Sequence, residues 1–465
     1  MATGTGAGAA VTGGVTAEAV KASGSAGWGE GDRLQLGVVS VSHTVQHLYS
    51  GALAIAYPYV VVTYHISYGT LGIMLGVAGV VGGLLQGAAG LVERVSSRLL
   101  LAFQDIGLAI CILLGAVVPG FAAFASARCA GAVVTWAQHP IGNSLLVRRF
   151  PHRRAFVLSC HTAGGSVGTA IAPIITAALI ASYGWRVGIG VFALPLALGG
   201  LFVFFTLDDG RARRVGLRRS TRPGAVPAGV AGAAGGGASD GEASDGEASD
   251  GEASARETGA GHVPPPTLRL RDVATRRQVV GALAAGTVAA AGRGLGALSA
   301  YVPAYLKTGL HLHPITVGVL FTVLVTGSII GPIAAGHVAD RLGRSSVLAA
   351  VYGIGAFAMA AFVLVGHDVV AIAAVGLVLG VFAYSESPLL QAVFSDGVEG
   401  APVRRAFGLF FAISYGVGAL WLPLIGRVID AVGFRAAFFV MGGSFAAASL
   451  IVLTTVKRGV AVHRP

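Results

Sequence analysis

Twelve apolar runs constrain this chain more than any other feature, because each is long enough to cross the roughly 30 Å hydrocarbon layer of a bilayer as a helix. They lie near residues 36–62, 70–92, 99–118, 121–146, 155–182 and 187–206, and then near 278–306, 314–338, 346–366, 369–395, 406–429 and 434–455. In lipid the backbone must satisfy its own polar groups, which leaves helices or a closed barrel. Barrel strands need only about 9–11 residues, so these runs read as helices. Short loops join most of them, and neighbouring helices are therefore expected to run antiparallel. A mean hydropathy of +0.76 with only 11% charged residues lies outside the range of soluble domains. The expected class is an all-α polytopic membrane protein.

The net charge of +11 would suggest nucleic acid in a soluble protein. Here the basic residues gather in particular loops: Arg94 and Arg98 follow the second run, and Arg148, Arg149, Arg153 and Arg154 follow the fourth. Short basic loops are retained in the cytoplasm during insertion. The alternation places both chain ends there, and no nucleic-acid partner is expected. Cys111, Cys129 and Cys160 sit inside apolar runs without ligand spacing, so neither a disulfide nor a metal site is expected. No cofactor is implied. The N-terminus lacks the basic-then-apolar pattern of a cleaved signal, and the first helix is expected to direct insertion.

Residues 1–34 are too weakly apolar to bury a core and read as a disordered cytoplasmic tail. Residues 35–206 form one expected six-helix bundle, 277–457 a second, and 458–465 a short tail. The stretch between the bundles, 207–276, holds a Gly/Ala run, three Ala-Ser-Asp-Gly-Glu units from Ala238, and Pro264-Pro265-Pro266. Its composition is that of a flexible linker. The acidic units lack the spaced ligands of a calcium loop. Comparing the bundles exposes a duplication. Gly51-Ala52-Leu53 with Pro58 returns as Gly296-Ala297-Leu298 with Pro303; Arg153-Arg154-Ala155-Phe156 returns as Arg404-Arg405-Ala406-Phe407, and Gly184-Trp185-Arg186 as Gly433-Phe434-Arg435.

A charged stretch, Gly336-His337-Val338-Ala339-Asp340-Arg341-Leu342-Gly343-Arg344, separates the eighth and ninth runs. As a loop, it would use Gly336 for close helix approach, Asp340 as an acceptor, Gly343 for the turn, and Arg341 and Arg344 as cytoplasmic anchors. The stretch resembles the loop signature of the major facilitator superfamily. At the matching place in the first half, Glu93-Arg94 keeps the acid-arginine pair without the glycines. The resemblance implies two pseudo-symmetric six-helix bundles, twelve transmembrane helices in all, with a central site between them. Arg128 with Gly131 resembles the R-x-x-G core of a fourth-helix motif tied to proton transfer in that family. In the fifth helix, Gly164, Gly168 and Pro173 resemble the glycine-proline pattern of its drug-antiporter branch, but Ala172 and Thr176-Ala177 depart from it, and helix packing is the favoured reading. The first-helix run from His43 to Pro58 is similar to transporters of the fosmidomycin-resistance type, with His47 where an acid is usual there.

By that architecture, the first and fourth helices of each half line the cavity, and they hold the chain's unusual polar residues. His43, Gln46 and His47 lie on the first, the histidines one turn apart. Arg293 lies near the middle of the seventh, where an unshielded charge is costly. Its counter-anion is Glu386, the substrate, or each in turn. Gln138-His139-Pro140 and Glu386-Ser387-Pro388 form a matched interruption of the fourth and tenth helices. Tyr301, Tyr305 and Tyr384 offer aromatic walls or interfacial anchors. Glu386 is the leading proton carrier, with Arg128 and the histidines beside it; Asp105 is a structural partner or a relay. No nucleophile-base pairing appears, so an enzyme is not expected. The expected function is a secondary transporter of a small polar or anionic solute, driven by protons and working as a monomer, as exporter or importer. The alternative is a non-transporting sensor or scaffold that signals through the linker.

Overall fold

The structure is a computed structural model that describes residues 30–87, 95–150, 153–208, 274–398 and 403–456. The expected N-terminal tail, except for its last residues, most of the linker and the C-terminal tail lie outside these residues, as do Glu93 and Arg94. The described residues form twelve spans. The first half comprises α1 (Glu30–Tyr64), α2 (Tyr68–Gly87) and α3 (Ser97–Val117). α4 follows in four pieces, Phe121–Val134, Thr135–Ala137, Gln138–Gly142 and Asn143–Arg149. Then come α5 (Arg154–Tyr183) and α6, itself split into Trp185–Gly190 and Ala193–Thr206.

The second half opens with α7, broken into Arg277–Ala289, Gly294–Leu298, Ser299–Ala304 and Tyr305–Gly309. α8 (Pro314–Leu342), α9 (Arg344–Leu364) and α10 (Val369–Gly397) are continuous. α11 is assembled from Val403–Phe410, Phe411–Val417, Gly418–Leu420 and Trp421–Val432, and α12 spans Phe434–Thr455. Ten of the described spans are long and apolar enough to cross a membrane; α1 and α4 are not among them. Those two carry Ser42, His43, Gln46 and His47, and Arg128, Gln138 and His139, so their polar load is what lowers their hydropathy. Large side chains such as Phe103, Phe205 and Phe357 point outward, 66–79% exposed, as a surface facing lipid requires.

Small residues set the packing. α1 lies against α5, where a Cβ on Gly168 would sit 2.2 Å from the Thr44 carbonyl oxygen; the α5 glycines therefore serve close helix approach. The two halves meet where α2 packs on α11 and α5 on α8. The duplication seen in the sequence recurs in the backbone, since Gly184 and Gly433 both take left-handed φ (83° and 89°) and both open the last helix of their half.

Three sequence expectations change here. The charged stretch is not a loop: α8 runs through Asp340 and Arg341 to Leu342, and only Gly343, at φ 87°, interrupts it before Arg344 starts α9. Gly336 meets nothing within 4 Å and so is not a contact glycine; Gly331 is, its Cβ position falling 2.2 Å from the Val381 carbonyl oxygen on α10. The matched interruption holds on one side alone. α4 loosens into a wide turn at Gln138–Gly142, whereas α10 carries Pro388 without a break. The second half breaks instead in α7, between Ala289 and Gly294.

Candidate functional site

The first half buries a polar network at the height of the α4 wide turn. Asp105 on α3 is fully buried and accepts from Ser42 Oγ (2.7 Å) and Gln46 Nε2 (2.6 Å), both on α1. Gln104 Nε2 donates to Gln138 Oε1 (2.6 Å), tying α3 to α4. Asp105 has no ion-pair partner among the described residues, so neutral donors alone hold this carboxyl. Three helices are joined by polar contacts that lipid cannot replace.

Beside the network stand four histidines. His43 Nδ1 lies 2.7 Å from the His161 carbonyl oxygen on α5, and His47 Nδ1 lies 2.8 Å from Thr169 Oγ1. His139 rises from the wide turn of α4. The His43 ring stands edge-on to those of His47 and His139, centroids 4.5 and 5.0 Å away, and stacks on His161 at 4.2 Å. A helical pair one turn apart was legible in the sequence; its meeting with α4 and α5 was not. His161 and Thr169 were missed because each sits alone in a run of small residues.

Among its described residues, the second half holds one buried ion pair. Arg293 Nε donates to Glu386 Oε1 at 2.6 Å, with side-chain exposures of 6% and 0%. The same guanidinium donates to the carbonyl oxygens of Ser414 (2.9 Å) and Gly286 (2.8 Å) and lies 4.3 Å over the Tyr415 ring. Tyr352 donates to the other Glu386 oxygen (3.0 Å). The break in α7 places Arg293 on extended backbone, φ −62° and ψ 138°, and so lets its side chain reach α10 and α11 together. Glu386, one of the counter-anions open in the sequence, is thus in direct contact with Arg293.

A central cavity of about 370 Å³ opens between the halves. Of the sequence candidates, Gln46, His47, Arg128, Gln138 and His139 line it, joined by Tyr57 and Thr169 and, from the unwound part of α7, by Leu295, Gly296 and Ser299. His43, Asp105, Arg293, Tyr301, Tyr384 and Glu386 are not in this lining. Tyr301 donates to the Leu422 carbonyl oxygen (2.6 Å), and Tyr384 reaches the wall only through the Ser299 hydroxyl (3.2 Å). Among the described residues, no Asp or Glu lines the cavity. Arg128 contacts the Tyr57 hydroxyl at 3.3 Å and has no carboxylate partner among the described residues.

At the rims, other groups link helices. Arg344 pairs with Asp396 at the end of α10 (2.5 Å), while Arg341 contacts His337 and Asp340 is exposed without an ion pair among the described residues. At the opposite rim, Asp430 on α11 accepts from the backbone N–H groups of Tyr68 and Gly69 at the start of α2 (2.8 and 2.7 Å). A carboxylate from one half thus caps a helix N-terminus of the other. Asp396 and Asp430 had no signal in the sequence beyond lying near helix ends.

The sequence profile of the Major Facilitator Superfamily matches residues 39–397, and a second match covers 282–464. The chain belongs to this superfamily. Solved structures place the fold beside those of superfamily transporters. A bacterial homologue of the human lysosomal transporter Spinster, inward-facing and unoccupied, superposes with a TM-score of 0.62 at 15% identity, over 92% of this chain and 96% of that one. The nucleoside transporter NupG gives 0.62 at 13% identity, over 91% and 98%. Curated proteins yield no match to the sequence, and nothing in these comparisons supports the narrower resemblance to fosmidomycin-resistance transporters. This superfamily member is a multi-pass membrane protein and a secondary transporter.

Proposed function

We propose that the transporter carries a small anionic solute through the central cavity by alternating access, driven by protons, in a cell membrane with both chain ends in the cytoplasm. One observation carries the reading. Among the described residues, the cavity presents a guanidinium without a carboxylate partner, Arg128, together with His47 and His139, and no acid in its wall. An unneutralised Arg at membrane depth is costly and invites an anion, and its planar fork suits a carboxylate, phosphate or phosphonate. Gln46, Gln138 and Ser299 supply neutral hydrogen-bonding positions around it. Arg293, the other candidate clamp, has its charge matched by Glu386, which leaves Arg128 as the solute contact. For the driving proton, Asp105 is better placed than Glu386, because Gln46 both lines the cavity and holds Asp105.

The test is binding to the purified full-length protein, read by thermal shift and calorimetry. The probes are phosphate, methylphosphonate and simple mono- and dicarboxylates, set against uncharged and cationic solutes of equal size. At least one anion should bind the wild type. Arg128→Gln should weaken it tenfold or more, a loss of about 1.4 kcal/mol or greater, and Arg128→Lys should fall between the two. Binding confined to uncharged or cationic probes, or indifferent to Arg128, refutes the reading.

A further inference from the structure

We propose that His43, His47 and His139 form a binding site for one late first-row divalent metal ion of the zinc type, opening into the central cavity. The site shares that cavity with the proposed solute but requires neither the anion nor Arg128. One ring nitrogen from each of the three histidines lies within 4.8 Å of the others. A tetrahedral ion with metal–nitrogen bonds of about 2.0–2.1 Å holds its ligand atoms roughly 3.3–3.4 Å apart, so rotation of the rings closes the set. The three rings stand nearly perpendicular to one another, at 83°, 86° and 80°, so none stacks face to face on another of the three.

The hydrogen bonds fix which nitrogens are free. A carbonyl oxygen only accepts, so His43 Nδ1 carries the proton it gives to the His161 oxygen, and in the neutral ring Nε2 is a bare lone pair. That Nε2 is buried without a partner on a residue only 3% exposed, and an unsatisfied buried polar atom costs on the order of 1–3 kcal/mol. His47 repeats the pattern. Thr169 gives its hydroxyl proton to the Gly165 carbonyl oxygen (3.0 Å), so it accepts from His47 Nδ1, and the His47 Nε2 is likewise free. Metal-ligating histidines are oriented in this way, by a second hydrogen bond that sets the tautomer. His139 closes the set from the wide turn of α4.

The donor set selects the ion. Three neutral imidazoles without carboxylate suit zinc, nickel, cobalt or copper, and not magnesium or calcium, which want oxygen. Because His47 and His139 line the cavity, a fourth coordination position faces it. That is the open-site arrangement of three protein ligands plus one exchangeable ligand. The sequence spacing showed the i, i+4 pair on α1 but gave no sign of the third ligand, which arrives from 92 residues further along the chain.

The experiment is zinc and cobalt(II) titration of the purified, tag-free, full-length protein in detergent, without any anionic probe. Calorimetry gives stoichiometry, the ligand-field spectrum of cobalt reports nitrogen ligation, and zinc should displace cobalt. The wild type should bind one ion per chain with zinc raising its melting temperature. His139→Ala, whose ring is exposed to the cavity, should lose the cobalt spectrum while still inserting and running as a single species. Thr169→Val removes no ligand but frees the His47 ring, and should weaken zinc by about 10–100-fold. A variant with Cys111, Cys129 and Cys160 all replaced by Ala should bind like the wild type. Wild-type protein that binds no zinc at one equivalent, or stoichiometric binding that survives combined replacement of the three histidines, overturns the site. Both results leave the anion reading standing, since that is read through Arg128 with no metal added.

Discussion

Cutting the Arg293–Glu386 pair should destabilise the second half severely, and the structure allows the loss to be apportioned. The two side chains are 6% and 0% exposed and 2.6 Å apart. Removing either partner strands a charge where water cannot reach it, which costs about 3–5 kcal/mol. Glu386→Ala leaves the Arg293 guanidinium with two backbone carbonyl oxygens and the Tyr415 face. Arg293→Ala strands the carboxylate with only the Tyr352 hydroxyl and orphans the Ser414 and Gly286 oxygens. Arg293→Ala combined with Glu386→Ala removes both charges, leaving a few unpaired neutral groups at roughly 1–3 kcal/mol each. The double variant should therefore be no worse than the poorer single one, a coupling energy of about 3–5 kcal/mol or roughly two to four decades in the unfolding equilibrium. The assay is a double-mutant cycle on full-length protein in mixed micelles, followed by tryptophan fluorescence. Single variants within about 1 kcal/mol of the wild type, adding simply in the double, would refute a structural role for the pair. An Arg293→Ala protein of wild-type stability that no longer binds anions would return the clamp to Arg293.

Closure at the rim opposite the basic loops should depend on Gly426 and Asp430. A Cβ on Gly426 would fall 2.2 Å from the Tyr68 carbonyl oxygen, so Gly426→Ala should hold α2 and α11 apart and raise maleimide labelling of a cysteine placed at Ser67 in a cysteine-free background. Asp430→Asn should do the same more weakly, and labelling unchanged in both would show that this contact is not a seal. Asp105→Asn should leave anion binding within a few fold of the wild type but make transport insensitive to an imposed pH gradient; unaltered coupling would point back to Glu386.

Much of the fold was legible because lipid imposes a simple rule: a span must be a helix of about 20 apolar residues. The runs near 99–118 and 434–455 match α3 and α12 to within a few residues for that reason. Repeated segments such as Gly184-Trp185-Arg186 and Gly433-Phe434-Arg435 announced the duplication, and both glycines turn out to end one helix and start the next. The breaks were harder. Proline marked Pro140 and Pro388 alike, but a helix absorbs a proline when its neighbours re-satisfy the freed backbone, and α10 does. The actual break in α7 was signalled by Gly292-Arg293-Gly294-Leu295-Gly296, glycine-rich sequence in which an arginine must leave the helical path to find its acid. Long-range partners left least trace: nothing in the α1 pattern of His43 and His47 says that His139 and Thr169 complete the cluster, because those contacts are set by how α4 and α5 pack on α1.

The most direct test of the central claim is flux. Full-length protein in sealed proteoliposomes, supplied with the tightest-binding anion of the probe panel as a radiolabelled tracer, should show saturable counterflow that Arg128→Gln abolishes in protein of equal abundance. Counterflow undiminished by Arg128→Gln, or counterflow seen only with uncharged or cationic solutes, would contradict an anion path through this cavity.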